Sequence, residues 1–341
     1  MKGWAGFSPG NIMKRILTLF ICICLFLCGC EQHQKVSSSF FIPDINQETI
    51  TEEVEDLALK HVQKLSAGEF LYEDICFEVD NVDNPDASQV VGEAAGAFCV
   101  TDRSVLYSKN IYKKVYPAST TKLLTALTAF KYGKMDDVYT VQEDNCGVTT
   151  PGAQLCGFKA GDKLTLEQLL YCLMIYSGND AAVAVAECVS GSVKDFVAKM
   201  NEEAASIGAK DTHMSNPNGL HALDHYTTPF DIYLIFNECL KNKQLTEIIS
   251  TKNYTCTFKD AYGQDKVFDM EATNQYFSGK KQAPEGITVL SGKTGVTVAA
   301  GYCLIILSED EAGKQYITCV FKSTSYDQLY ADMNELLKLC K

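Results

Sequence analysis

Strand patterns stand at both ends of the last two-thirds of this chain, and its apolar helical patterns lie between them. Residues 95–102 (AGAFCVTD) and 104–110 (SVLYSKN) read as two strands of a hairpin turning at Asp102-Arg103. The pattern returns at 287–295 (ITVLSGKTG), 301–309 (GYCLIILSE) and 315–322 (QYITCVFK), before an amphipathic helix from Asp327 onward. Strands first, helices in the middle and strands last imply one sheet built from both ends, with a helical section inserted. The expected fold is α+β: an antiparallel sheet flanked by helices.

The helical section opens at Pro117-Ala118-Ser119-Thr120-Thr121-Lys122. Pro117 precedes the start, and LLTALTAFKY continues with helical periodicity until Gly133 stops it. Residues three apart share a helix face, so the Ser119 hydroxyl and the Lys122 amine can point into one space. A serine hydroxyl is a poor nucleophile without a base, and a desolvated, neutral lysine can be that base. The helix N-terminus adds N–H groups and positive potential where an oxyanion would form. Alone, S-x-x-K is a weak signal that occurs by chance in many proteins, and an exposed helix start is the favoured explanation until context is added.

Two further stretches give it context. Thr165 with Gln168 forms a capping box ahead of an apolar helix that breaks at Ser177-Gly178-Asn179. Asp180 restarts a second apolar helix, closed by Gly191, and Ser192 with Asp195 caps a third, running to Gly208. A tight break between buried helices can present a hydroxyl and an amide to a cleft. After the loop SNPNGL (215–220) and a helix in 227–240, Lys293-Thr294-Gly295 ends a strand, where Gly295 would let a ligand approach the backbone.

The leader sets the compartment. Lys14 and Arg15 precede ILTLFICICLFL, an apolar run right for a signal h-region and short for a bilayer span. Met13 begins a more typical leader than Met1 does. The run ends in Leu27-Cys28-Gly29-Cys30, which resembles a bacterial lipobox with Cys30 as the lipid-modified first mature residue, though Cys28 is an unusual occupant of its place. A membrane tether over 31–46, an amphipathic helix from a Thr49/Glu52 capping box to about residue 65, and an acidic linker or covering loop over 73–88 would follow. The domain is thus expected outside the cytoplasm, held by an N-terminal lipid, with an ordinary secreted form as the lesser alternative. The net charge of −13 argues against nucleic acid as a partner. Of fifteen cysteines, four lie in the leader. The rest are scattered without a C-x-x-C pair, several within apolar runs (Cys172, Cys188, Cys303, Cys319), and read as small buried hydrophobes. Only Cys146 with Cys156 invites consideration as a disulfide.

S-x-x-K, S-x-N and K-T-G, in this order and on these elements, resemble the penicillin-binding proteins and serine β-lactamases. The finer stretches PASTTKLLTAL, SGNDAAVAVAE, HMSNPNGL followed by HYTTPFDI, and SGKTGVTVAAGYCL are similar to the D-alanyl-D-alanine carboxypeptidases among the low-molecular-weight penicillin-binding proteins. The likeness runs from about Gly96 to Phe321 and implies a β-lactamase/transpeptidase-like fold. It divides the chain into a lipoprotein-type signal peptide (1–29), a tether, helix and linker (30–90) and a catalytic domain (91–341). The C-terminal β-domain and C-terminal amphipathic anchor of many relatives have no counterpart in these residues, and an N-terminal lipid would take over the anchoring. The resemblance makes Ser119 the nucleophile toward the penultimate D-alanine of a peptidoglycan stem peptide, and β-lactam antibiotics its mimics. Lys122 would accept its proton, Ser177 would relay that proton to the leaving D-alanine in contact with Lys293, and Asn179 would hold the substrate amide and orient Lys122. Lys293 and Thr294 would bind the terminal carboxylate, the N–H groups of Ser119 and Val296 would form the oxyanion hole, and Thr297 and Asn218 would line the cleft. No cofactor and no metal are implied.

Other readings fit less well. A β-lactamase of the common class needs a glutamate, usually in E-x-x-L-N ahead of K-T-G, and no such tract is present. A penicillin sensor or wall-binding module would keep the pocket without needing both lysines. Gly6-Phe7-Ser8-Pro9-Gly10 fits G-x-S-x-G but precedes the leader with no strand before it. His221 and His225 are four apart, yet the metalloprotease glutamate is missing from its place, and Pro217 and Gly219 make the region a loop.

Overall fold

The computed structural model describes residues 75–341 apart from Val79 and Ser88. The leader, Cys30, the tether and the Thr49/Glu52 helix lie outside these residues. Strands β1 (Ala94–Cys99) and β2 (Ser104–Lys109) form the expected hairpin, with Arg103 in the left-handed region at φ 56°. A 3-10 turn over Ala118–Thr120 leads into α1 (Thr121–Tyr132). Short strands β3 (Val138–Thr140) and β4 (Lys163–Thr165) precede α2 (Leu166–Tyr171), whose Thr165/Gln168 capping box is present as expected. One π turn, Cys172–Tyr176, separates α2 from α3 (Asn179–Ser190), and Ser192 caps α4 (Val193–Ser206). Then come α5 (Pro229–Leu240), α6 (Lys243–Ser250), β5 (Asn253–Lys259) and β6 (Asp265–Glu271). The chain closes with β7 (Thr288–Thr297), β8 (Gly301–Glu309), β9 (Gln315–Ser323) and α7 (Tyr326–Leu337).

The main sheet is antiparallel in the order β2-β1-β9-β8-β7, so the first strand pairs with the last, Ala94 opposite Phe321. Both of its faces are covered, and alternate residues divide between two cores. Cys303, Ile305 and Leu307 of β8 join the helical section, while Leu304 and Ile306 join Leu329, Met333 and Leu336 of α7. That is why β8 and β9 read as nearly continuous apolar runs. Helix α1 is the centre of the helical section, buried without a break from Thr121 to Ala129. Truncating Leu123 or Leu124 there would leave a cavity costing about 2–5 kcal/mol. Of its threonines, Thr128 is satisfied within the helix, its Oγ1 donating to the Leu124 carbonyl at 2.7 Å. The backbone turns extended at Gly133, which ends α1, and a Cβ there would stand 2.4 Å from Leu166 Cδ2.

The sheet built from both ends is present as expected, and the inserted section carries a second antiparallel sheet, β3-β4-β5-β6, that was not expected from the sequence. Tyr254, Cys256 and Phe258 alternate with polar residues along β5, and Phe268 and Met270 do so along β6. This is a one-face strand pattern, muted by the charges between. The turn joining them is held by Asp260 Oδ1, which accepts from Tyr262 N and Gln264 N. The acidic stretch ahead of β1 packs onto the fold. Cys76 N donates to Tyr233 Oη at 2.8 Å, Val82 N donates to Ser108 Oγ, and the Asp332 carboxylate accepts from Val91 N and Gly92 N. No helix among the described residues is long and apolar enough to cross a membrane.

Candidate active site

The 3-10 turn carrying Ser119 is wedged between a loop and a strand. Ala118 holds φ 48°, which turns the Ser119 backbone sharply. A Cβ on Gly219 would sit 1.9 Å from the Ala118 carbonyl oxygen, and one on Gly295 would sit 2.8 Å from Ser119 N. Two glycines, one in the 215–220 loop and one in β7, thus let main chain close directly on the Ser119 peptide. The close approach is made by Gly295, the residue before Val296, whose N–H the sequence expects in an oxyanion site with that of Ser119.

Lys122 is fully buried, with three oxygens around its amine: Ser119 Oγ at 3.0 Å, Asn179 Oδ1 at 2.9 Å and the Asn218 carbonyl at 2.6 Å. A neutral amine has two N–H donors and one lone pair. The two amide carbonyls can only accept, so they take both N–H groups and leave the lone pair facing the Ser119 hydroxyl. Burial, and then the positive charge of Lys293, hold the Lys122 amine well below the ordinary lysine range. Asn179 is fixed in turn, its N and Nδ2 both donating to the Gln154 carbonyl at 2.8 and 3.1 Å.

The second lysine mirrors the first. Ser177 closes the π turn in the left-handed region at φ 66°, and its Oγ accepts from Lys293 Nζ at 2.9 Å. Lys293 also donates to the Thr294 carbonyl at 3.0 Å, and burial pulls its amine down to about 7. Thr294 Oγ1 shares a 2.6 Å hydrogen bond with Thr273 Oγ1. These groups border a cleft of 710 Å³ whose walls include Ser119, Gln154, Ser177, Asn179, Thr294 and Tyr326. Both lysines lie beneath its floor, and no aspartate or glutamate is among its lining residues.

The structure brings Ser119, Lys122, Ser177, Asn179, Lys293 and Thr294 together, with Gly295, Val296 and Thr297 along one wall. Thr297 also accepts from Ala300 N at 2.9 Å, which caps the β7–β8 turn. Asn218 differs from its expected place. It lies beneath the cleft, gives its main-chain carbonyl to Lys122 and uses Oδ1 to hold Leu220 N. Cys146 and Cys156 do not pair; both are free thiols. His225 uses both ring nitrogens within the protein, and His221 packs edge-on against Tyr116. Sequence reasoning missed Gln154, Thr273, Gly219 and Asp180. The Asp180 carboxylate, buried at the start of α3, accepts from Cys156 N and Gly157 N at 2.8 Å each and so pins the loop carrying Gln154. Its signal was a charge opening an otherwise apolar helix.

A family model described as D-alanyl-D-alanine carboxypeptidase, peptidase family S11, matches residues 84–325. D-alanyl-D-alanine carboxypeptidase DacF of Bacillus subtilis is 31% identical over 265 residues, 75% of this chain and 64% of that protein. The D-alanyl-D-alanine carboxypeptidase of Streptomyces sp. strain K15 is 30% identical over 256 residues, 72% of this chain and 86% of that protein. The chain therefore spans under two-thirds of the Bacillus relative and most of the Streptomyces one. The crystal structure of the Streptomyces K15 DD-transpeptidase superposes with a TM-score of 0.68 at 28% identity, covering 76% of this chain and 98% of that one. A Mycobacterium tuberculosis D-alanyl-D-alanine carboxypeptidase structure shares the fold, with a TM-score of 0.63 at 23% identity, covering 79% and 95%.

Proposed function

This chain belongs to the D-alanyl-D-alanine carboxypeptidase family of serine peptidases, and from that premise we propose that it removes the terminal D-alanine from peptidoglycan stem pentapeptides. The observation that carries the proposal is the buried Lys122 amine, 3.0 Å from Ser119 Oγ and otherwise surrounded by the Asn179 and Asn218 carbonyls, which in its neutral form would leave its lone pair for the Ser119 proton. Ser119 Oγ attacks the carbonyl of the penultimate D-alanine as its proton passes to Lys122 Nζ. The carbonyl pair collapses onto oxygen beside the Ser119 and Val296 N–H groups. The proton taken by Lys122 is relayed through Ser177, held by Lys293, to the departing amine; the C–N bond breaks, D-alanine leaves, and Lys122 is neutral again. Lys293 and Thr294 take the terminal carboxylate. Water then enters the space D-alanine occupied, Lys122 accepts its proton, and the ester is hydrolysed.

The chemistry has a direct test. Penicillin presents a strained amide in place of the D-Ala-D-Ala bond, so intact mass should rise by one drug molecule and Ser119→Ala should abolish the shift. An adduct on another residue would overturn the assignment. The substrate lies outside the cytoplasm, which agrees with the signal-like leader. Attachment through a lipid on Cys30 completes the proposal: one acyl chain binds membranes only marginally, so a di- or triacyl group would be the anchor. Labelled fatty acid retained by a Cys30→Ala protein would disprove it.

A further inference from the structure

His225 is 1% exposed and joins two elements that meet at Lys122. Its Nδ1 lies 3.0 Å from Ser215 N and its Nε2 lies 2.8 Å from Thr121 Oγ1. A main-chain N–H can only donate, so Nδ1 accepts, the ring is neutral, and Nε2–H donates to the Thr121 hydroxyl. Thr121 is the first residue of α1, adjoining Lys122. Ser215 opens the loop whose following carbonyls engage the same helix. Pro217 O accepts from Thr125 Oγ1 at 2.6 Å and Asn218 O accepts from Lys122 Nζ at 2.6 Å. Gly219 then rests against the Ala118 carbonyl. The imidazole is thus the outermost rung of a clasp between loop and helix, and the Lys122–Asn218 contact is its innermost.

We propose that His225 is a positioning residue for acylation: its neutral Nε2–H tautomer fixes the 215–219 loop against α1, so that the Asn218 carbonyl occupies one N–H of Lys122 and the lone pair stays on Ser119. This rests on the reading of Lys122 as the base. The ionisable groups around the ring are Asp224 beside it, His213 and His221 in the same region, and Lys122 across the clasp. Asp224 is itself engaged, accepting from Ser215 Oγ at 2.7 Å. Burial pulls His225 down to about 4, which favours the neutral ring that the Ser215 contact requires. Protonation would set N–H against N–H at Ser215 and open the rung.

Two substitutions dissect the role in the full chain. His225→Asn keeps an acceptor near the place of Nδ1 and loses the donor to Thr121; His225→Gln does the reverse. Because they break different bonds, failure of one to fold, read from its melting curve, leaves the other to decide. Acylation by a fluorescent penicillin is followed across pH in wild type and both variants. Each folded variant should acylate about 10- to 100-fold more slowly, as small misplacements of a reacting group do. Its acid limb should also move to lower pH, because Lys122 loses a carbonyl that favours the ammonium form. Wild-type rates in both variants, or slower rates with the limb unmoved, would reduce His225 to packing and overturn the inference alone. A wild type that takes up no penicillin overturns the assignment of Lys122 as base and this inference with it.

Discussion

Lys293 Nζ donates to Ser177 Oγ across 2.9 Å, joining the strand β7 to the π turn that ends the α2 segment. The charge of that amine helps to hold Lys122 below the ordinary lysine range, after the larger effect of burial. Lys122 is thereby favoured as the base, and Lys293 is the one left to meet an anion.

Lys293→Ala should remove a buried charge-assisted contact to the substrate carboxylate, about 2–4 kcal/mol, or roughly 30- to 1000-fold in kcat/KM. The check is a substrate pair differing only in the terminal group. Wild type should prefer the free acid strongly over the C-terminal amide, and the variant should lose the preference. Equal rates on both with the wild-type enzyme would show that the carboxylate role is misassigned.

The same burial makes Lys293 a cost to the fold. Its folded value of about 7 lies below the ordinary 10.5, so between these limits the unfolded chain binds the proton and the folded one does not. Stability contributed at this site therefore rises with pH from about 7 toward 10.5. Lys293→Met should melt higher than wild type at neutral pH and lose that gain as the pH is raised, while turning over little substrate. A variant that melts lower at neutral pH contradicts this account. In the wild type kcat/KM should fall above about 7 as the free amine deprotonates.

Gly219→Ala places a methyl 1.9 Å from the Ala118 oxygen at a backbone φ of +85°. The loop has to retreat, at a cost of about 1–3 kcal/mol in stability, and it carries the Asn218 carbonyl away from Lys122. Penicillin acylation should slow by about 100-fold. Calorimetry with acylation kinetics tests both parts, and wild-type acylation in a destabilised variant would break the link between them.

After peptide attack the D-alanine leaves and water can take its place, whereas the opened ring of a penicillin stays tethered and blocks that side. Hydrolysis from the opposite face would need another base, and no carboxylate lines the cleft. D-alanine release from a peptide ending in D-Ala-D-Ala should turn over many times, while the penicilloyl ester on the same preparation should outlast it by minutes or more. Rapid penicillin turnover without D-alanine release would make the protein a β-lactamase. A stable adduct with neither activity would make it a sensor.

The parts legible in the sequence were those with a local cause. A proline, a serine and an apolar run mark the start of α1, and a break at Ser177-Gly178-Asn179 between two apolar helices marks a turn that faces inward. The β3-β4-β5-β6 sheet was not legible, because β3 and β4 are three residues each and pair across long separations. Asn218 was expected to line the cleft by resemblance alone, yet it meets Lys122 through its main chain, which any residue carries. Thr273, two residues past the end of β6, meets Thr294 of β7 in the other sheet only once the rest of the fold has brought them together.

The pairing of β1 with β9, Ala94 opposite Phe321, makes both ends of the described domain neighbours in its centre. Such a sheet has to close a very long loop before it gains any stability, which slows folding and leaves half-made chains with open strand edges. Ser119 and Lys122 are synthesised early, but Lys293 arrives on a strand near the end of the chain. Lys293, and with it the Ser177 relay and the carboxylate site, is therefore the last part of the catalytic group to be supplied as the chain is made.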